Sequence, residues 1–181
     1  MKNKMIIMCG LARCGKSTWL NKNKKDAVVI CPDEIRAKIF GHQFHQESEG
    51  FVWAFAESMV RLLLEQNKGV IIDATNLTYG SRDKWIRIAK EYGIKVEIIW
   101  IKTSLKKCKE RNKKSKKGNK IPVVVLDRMA SMFESPFYNE YKEKIKLIEV
   151  SKSKTTLHIL KRELGILPSN YYWEEIKKGK Q

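Results

Sequence analysis

Gly10-Leu11-Ala12-Arg13-Cys14-Gly15-Lys16-Ser17-Thr18 is the stretch on which the fold turns. It satisfies G-x-x-x-x-G-K-[ST], with the apolar run Met5-Ile6-Ile7-Met8 before it and Trp19-Leu20 opening a helix after it. Strand, glycine turn and helix form the context in which this pattern cradles phosphate. Backbone N–H groups at the start of a helix attract an anion. In such loops the lysine reaches the β- and γ-phosphate oxygens and the following hydroxyl joins the Mg²⁺ shell. Residues 10–18 are therefore expected to hold ATP or GTP, Lys16 to meet the phosphates and Ser17 to meet Mg²⁺.

Outward from this unit, strand-like and helical runs alternate. Ala27 to Cys31 reads as a second strand, stopped by Pro32 and followed by a short helix through Ile35 and Ile39. Phe51 to Gln66 reads as a largely buried helix, apolar around most of its circumference, and we assign Phe51, Trp53 and Phe55 to packing. Val70 to Asp73 is a third strand, a helix with Trp85, Ile88, Ala89 and Tyr92 on one face ends at Gly93, and Lys95 to Ile101 is a fourth strand. Ser104 to Asn112 and a helix opened by Pro122 and running to about Phe133 flank a basic loop. Leu147 to Val150 reads as an edge strand, and a last helix carries Leu157, Leu160 and Leu164. The expected fold is α/β: a parallel sheet of four to five strands with helices on both faces and a helical lid. The 181 residues fit one domain, with the lid at about 103–121 and a C-terminal extension at about 151–181.

Lys and Arg number 37 against 20 Asp and Glu, a net +17, while 43% of residues are apolar or aromatic. That balance excludes a disordered polycation and makes polyanions the first partners to consider. About half of the surplus is local: residues 102–120 hold nine lysines and Arg111 against Glu110 alone, a net +9. The remaining charge is scattered, as lysine-rich coding bias alone also produces. The chain has no apolar run of about 18 residues, so no membrane partner is expected. Cys9, Cys14, Cys31 and Cys108 lack metal-site spacing and fit reduced thiols of a cytoplasmic protein. His42, His45 and His158 are too dispersed for a metal site.

A phosphate loop serves switches, motors and transferases alike. A GTPase switch is not expected, for want of a guanine-reading N-K-x-D element, and a motor needs a longer chain with sensor and relay elements, which leaves a small phosphotransferase. Such an enzyme needs a base for the acceptor hydroxyl, a cation on the moving phosphoryl group and a cover against water. Asp33, at the carboxyl end of the second strand, is placed to be that base, and it also suits a helix N-cap. Arg36 is placed to hold an acceptor phosphate. Asp73 either reaches the magnesium through water, contacts the acceptor or satisfies neighbouring loop amides.

Over roughly Met5 to Asn139 the chain resembles the 5′-hydroxyl polynucleotide kinases. The resemblance is carried by the loop with Ser17-Thr18-Trp19, then Asp33-Glu34-Ile35-Arg36, Thr75-Asn76-Leu77, Ala89 to Val96, Arg111-Asn112, Pro122 and Met129 to Pro136. It implies transfer of the γ-phosphate of ATP, with Mg²⁺, to the 5′-OH end of DNA or RNA. Lys16 and Ser17 then bind ATP and Mg²⁺, Asp33 is the general base, Arg36 orients the acceptor's phosphate, and Asp73, Thr75 and Asn76 line the acceptor side. The family's second lid arginine falls here on Lys116 or Lys117, after a one-residue insertion, or its role passes to Arg111. Asp73 stands one residue earlier than the family's acidic residue, and Asp-Ala-Thr-Asn is also the form found in small-molecule kinases of the wider group. A small-molecule or toxin-type kinase is therefore the alternative, and a non-catalytic nucleotide-gated nucleic-acid binder a third reading. No D-x-D-G-T phosphatase signature is present, and few residues follow Pro136 to hold such a domain.

Overall fold

The computed structural model describes residues 4–41, 46–116, 118–139, 144–149 and 172–173. The three histidines, Lys117 and the expected helix on Leu157, Leu160 and Leu164 lie outside the described residues, as does nearly all of the extension at 151–181.

In chain order the elements are β1 (Lys4–Cys9), α1 (Lys16–Asn23), β2 (Val28–Ile30), α2 (Pro32–Phe40), α3 (Gln46–Glu65), β3 (Val70–Ile72), α4 (Tyr79–Glu91), β4 (Lys95–Lys102), α5 (Leu105–Lys113), α6 (Val123–Ser131), α7 (Pro136–Asn139), β5 (Lys144–Glu149) and β6 (Tyr172–Trp173). The strands form one sheet in the order β2-β3-β1-β4-β5-β6, and each neighbouring pair is parallel.

The continuous apolar run of β1 follows from this position. A strand buried on both faces has no solvent side on which to place a polar residue. Its alternating side chains split between two cores. Met5, Ile7 and Cys9 join residues of α3 and α4 such as Val60 and Trp85, whereas Ile6 and Met8 join Trp19, Leu20 and Cys108 of α1 and α5. Truncating a fully buried side chain such as Ile7 costs about 2–5 kcal/mol.

Three expectations are corrected. The sheet gains a sixth strand in the Tyr172-Trp173 pair of β6, so β5 lies inside it between β4 and β6 rather than at its edge. Phe51 and Phe55 stand 53% and 40% exposed, while Trp53 packs inward, 6.5 Å from Trp85. The sheet needs only one face of α3, the one carrying Val52, Ala56, Val60 and Leu64. Pro122 is the residue before α6 rather than in its first turn, and the helix ends at Ser131.

Strand order reverses at β1, with β2 and β3 on one side and β4 on the other. The loops leaving the carboxyl ends of β1, β2 and β3 therefore converge there, where open parallel sheets place their ligand crevice.

Candidate active site

The first of those loops is fixed by its backbone. Gly10, at φ 139°, donates its N–H to the Thr75 carbonyl at 3.0 Å. A Cβ at this position would stand 2.7 Å from the Ile101 carbonyl oxygen and 2.9 Å from the Cys14 sulfur. Only glycine fits, on both torsion and space. Arg13 is left-handed at φ 66°, which lets its guanidinium reach the Asn119 carbonyl across the lid. Cys14, a bulky residue for a phosphate loop, is fully buried in the core cluster of Trp19 and Cys108.

The loop's carbonyls are tied from outside. Arg111 of α5 donates to the carbonyls of Arg13 at 3.0 Å and Cys14 at 2.7 Å, and the Thr103 hydroxyl adds a bond to the Cys14 carbonyl at 2.8 Å. In a planar trans peptide the N–H points opposite to the C=O, so these ties turn the Gly15 N–H away from Arg111. The α1 helix then starts at Lys16 with no side-chain cap and no acidic residue in its first turn. Its orphan N–H groups and positive dipole end are free for an anion. Lys16 is folded over the loop, donating to the Gly10 and Leu11 carbonyls at 3.1 and 3.0 Å, and Ser17 and Thr18 are exposed beside it.

Two cavities meet at this loop. One, of about 400 Å³, is lined by Arg13, Gly15, Lys16, Ser17, Thr18 and Arg111. The other, of about 470 Å³, holds Ala12, Lys16, Ser17, Asp33, Asp73 and Thr75 among its lining residues. Asp33 and Asp73, forty residues apart in sequence, thus share a cleft with the phosphate lysine.

Asp33 stands in the first turn of α2, after the N-cap residue Cys31, and is not the cap itself. Its carboxylate is 88% exposed and pairs with Arg36 Nη1 at 2.7 Å. The rest of the Arg36 fork is taken by Glu49 of α3, with Nε and Nη2 bonds of 2.6 and 2.8 Å. Glu49 is a residue that sequence reading missed. Asp73 is half-buried, and that burial pushes its carboxyl up from the ordinary 3.8, against the opposing pull of Lys16. Among the described residues no hydrogen bond or ion pair engages its side chain, so the amide-satisfying reading has no support. Burial likewise pushes the Cys31 thiol up to about 11, which keeps it protonated and unreactive.

Asn76 does not line the cleft. It is buried, and its amide donates to the Met8 carbonyl at 2.7 Å, strapping the β3 loop to β1. Its own carbonyl accepts from buried Arg82 at 2.9 Å. Leu11 packs against the second core, offering the site only its carbonyl. Lys116 is exposed and lines neither cavity, whereas Arg111 lines one of them. The sequence does contain one string of the guanine-reading N-K-x-D form, Asn23-Lys24-Lys25-Asp26. It joins the end of α1 to the start of β2, at the sheet end opposite the phosphate loop.

The lid is footed by Asn112, whose amide donates to the Ile121 carbonyl at 2.6 Å and accepts from the Ile121 N–H at 3.0 Å. Lys109 of α5 pairs with Asp127 of α6 at 2.5 Å. No helix among the described residues is long and apolar enough to cross a membrane.

Residues 5–136 match the AAA_33 family, described as an AAA domain. An L-seryl-tRNA(Sec) kinase of Methanococcus maripaludis (strain S2) is 29% identical over 139 residues, covering 73% of this chain and 53% of that protein. The chain thus spans about half the length of that relative. Three solved structures share the fold. The Pnkp1/Rnl/Hen1 complex matches at 24% identity and TM-score 0.54, over 61% of this chain and 39% of that one. Kti12 of Chaetomium thermophilum with ADP-AlF3 matches at 14% and 0.60, over 91% of this chain and all of that one. A gluconokinase of Sinorhizobium meliloti 1021 matches at 18% and 0.57, over 89% of each.

Proposed function

This chain belongs to the AAA_33 family of AAA domains, of P-loop kinase type, and we propose that it transfers the γ-phosphate of ATP to the 5′-hydroxyl end of DNA or RNA. The observation that carries this reading is the shared cleft, whose lining brings Asp33 together with the phosphate lysine and Ser17. The concentrated positive charge of residues 102–120 and the ordered motifs around it support a polynucleotide acceptor.

Asp33 accepts the proton of the attacking hydroxyl, whose oxygen bonds to the γ-phosphorus as the bond to ADP breaks. Lys16 releases its two loop carbonyls and moves onto the β- and γ-phosphate oxygens, while the uncapped start of α1 holds the phosphates in line. Ser17 and the unpartnered Asp73 are the oxygen ligands suited to Mg²⁺, which neutralises phosphate charge when bound. Arg36, one helical turn after Asp33, holds the acceptor's phosphate once Glu49 yields part of the fork. Arg111 keeps the loop in shape from behind.

The test is incubation of the purified chain with [γ-³²P]ATP, Mg²⁺ and a 5′-OH oligonucleotide, DNA and RNA in parallel. Label at the 5′ end is the expected result. A folded sample that labels neither strand overturns the reading. Label on gluconate or on a seryl-tRNA instead selects the small-molecule or tRNA acceptor, and the 29% identical tRNA kinase makes the tRNA the natural competitor to include.

A further inference from the structure

We infer that the groove between α2 and α3 seats the terminal nucleobase of the acceptor strand. The inference rests on the polynucleotide reading above and makes it specific. The groove, of about 300 Å³, is lined by Ile35 and Ile39 of α2 and by Phe55 and Met59 of α3, with Lys38 among its lining residues. It borders the catalytic cleft, since Cys31 and Glu34 line both.

Beside it stands a ladder of rings. Phe51 stacks on Phe55 with centroids 6.0 Å apart and planes at 18°, and Phe40 meets Phe51 edge-on at 6.1 Å. All three are exposed, as is Ile39 at 46%. A cluster of this kind on a folded surface marks a binding site more often than chance exposure does. Rings stacked with an open end accept another flat π-face, and every nucleobase offers one.

The order of groups along α2 selects the occupant. Asp33 is in the first turn, Arg36 is one turn on, and Ile39 and Phe40 close the helix. A 5′-terminal nucleotide presents the same order, with its hydroxyl at the base, its 3′-phosphate at the arginine and its base free to turn against the apolar wall. A sugar acid or other small polar acceptor has nothing to place there. The net charge of +17 suits the strand that continues beyond the seat.

The experiment compares two 5′-OH oligonucleotides, one intact and one abasic at its first nucleotide, on the wild-type chain and on Phe55→Ala. With the wild type the abasic end raises the acceptor KM about 10-fold, the loss expected for one stacked base. In Phe55→Ala the intact strand binds about 10-fold more weakly and the abasic penalty shrinks below about twofold, while the KM for ATP holds. Phe55→Leu keeps the apolar bulk without the ring and serves the same comparison if the alanine variant misfolds. Wild-type labelling of both strands with equal KM overturns the seat and leaves the kinase reading standing. So does a Phe55→Ala defect that falls equally on both strands, or one that changes only the number of chains associated, which assigns the patch to a protein contact. Labelling of neither strand overturns the polynucleotide reading itself.

Discussion

The phosphate loop and the start of α2 line one cleft, and the loop and the α2–α3 shoulder are held by opposite means. In the loop, the Gly10, Leu11, Arg13 and Cys14 carbonyls each accept a side-chain hydrogen bond, and Cys14 is sunk into the core. On the shoulder, the chemistry hangs on side chains: a carboxylate that is 88% exposed, an arginine shared between two acids and rings open to solvent. A phosphate is the same in every nucleotide and can be met by a preformed backbone. Acceptors differ between kinases, and side chains can change without disturbing the sheet.

If this contrast is right, damage on the two sides differs in kind. Asp33→Asn should have the largest effect, lowering kcat by about 10²–10⁴ as for loss of a general base, with the KM for ATP unchanged; single-turnover transfer measures it. A parallel loss of ATP affinity would show that the two sides are not separable. Gly10→Ala should act through the backbone, because its Cβ meets a carbonyl and a sulfur at 2.7 and 2.9 Å. We expect a stability loss of about 1–3 kcal/mol from the forced strain, read by denaturant unfolding, together with weaker ATP binding by calorimetry. Glu49→Gln removes one charge from the Arg36 fork, and we expect a change in acceptor KM of about 5–10-fold, consistent with 1–1.4 kcal/mol, with the KM for ATP unmoved.

The smallest effect concerns Asp73. Its carboxyl is raised in the folded protein above the ordinary 3.8, chiefly by burial. The unfolded chain therefore loses its proton first as pH rises. Stability falls from the ordinary carboxylate pKa up through the raised one and is flat beyond. Asp73→Asn should raise the melting temperature at neutral pH by about 2 °C, and the gain should vanish in acid below the ordinary value. A gain that persists there would trace to packing rather than charge.

The two sides also differed in how far they could be read from the sequence. The loop is legible because nine contiguous residues carry it and because an apolar strand precedes it and the apolar pair Trp19-Leu20 follows it. Asp33 and Asp73 could be placed at strand ends for the same reason. The Arg36 to Glu49 fork could not, because it joins two helices whose relative placement no local pattern encodes. Nor could the facing of α3: a helix apolar nearly all round does not announce which stripe the sheet will take, so Phe51 and Phe55 read as core. Asn76 misled in the other direction, since a polar residue in Asp-Ala-Thr-Asn looks like a cleft donor and is in fact a strap to β1. The expected edge strand, Leu147 to Val150, is in fact Lys144 to Glu149, and it is paired on both sides.

The Asn112 clasp sets what the lid can tolerate. By bonding both the N–H and the C=O of Ile121, one side chain reproduces a backbone bridge and pins the two feet of the loop together. What lies between the feet then contributes little to the position of α5 and α6, and loop entropy rises by only about 0.6 kcal/mol per doubling of length. The span from Lys113 to Lys120 is accordingly a place where the chain can be lengthened, shortened or recharged at low cost. Retuning the lid for a different acceptor would need no change in the catalytic scaffold beneath it.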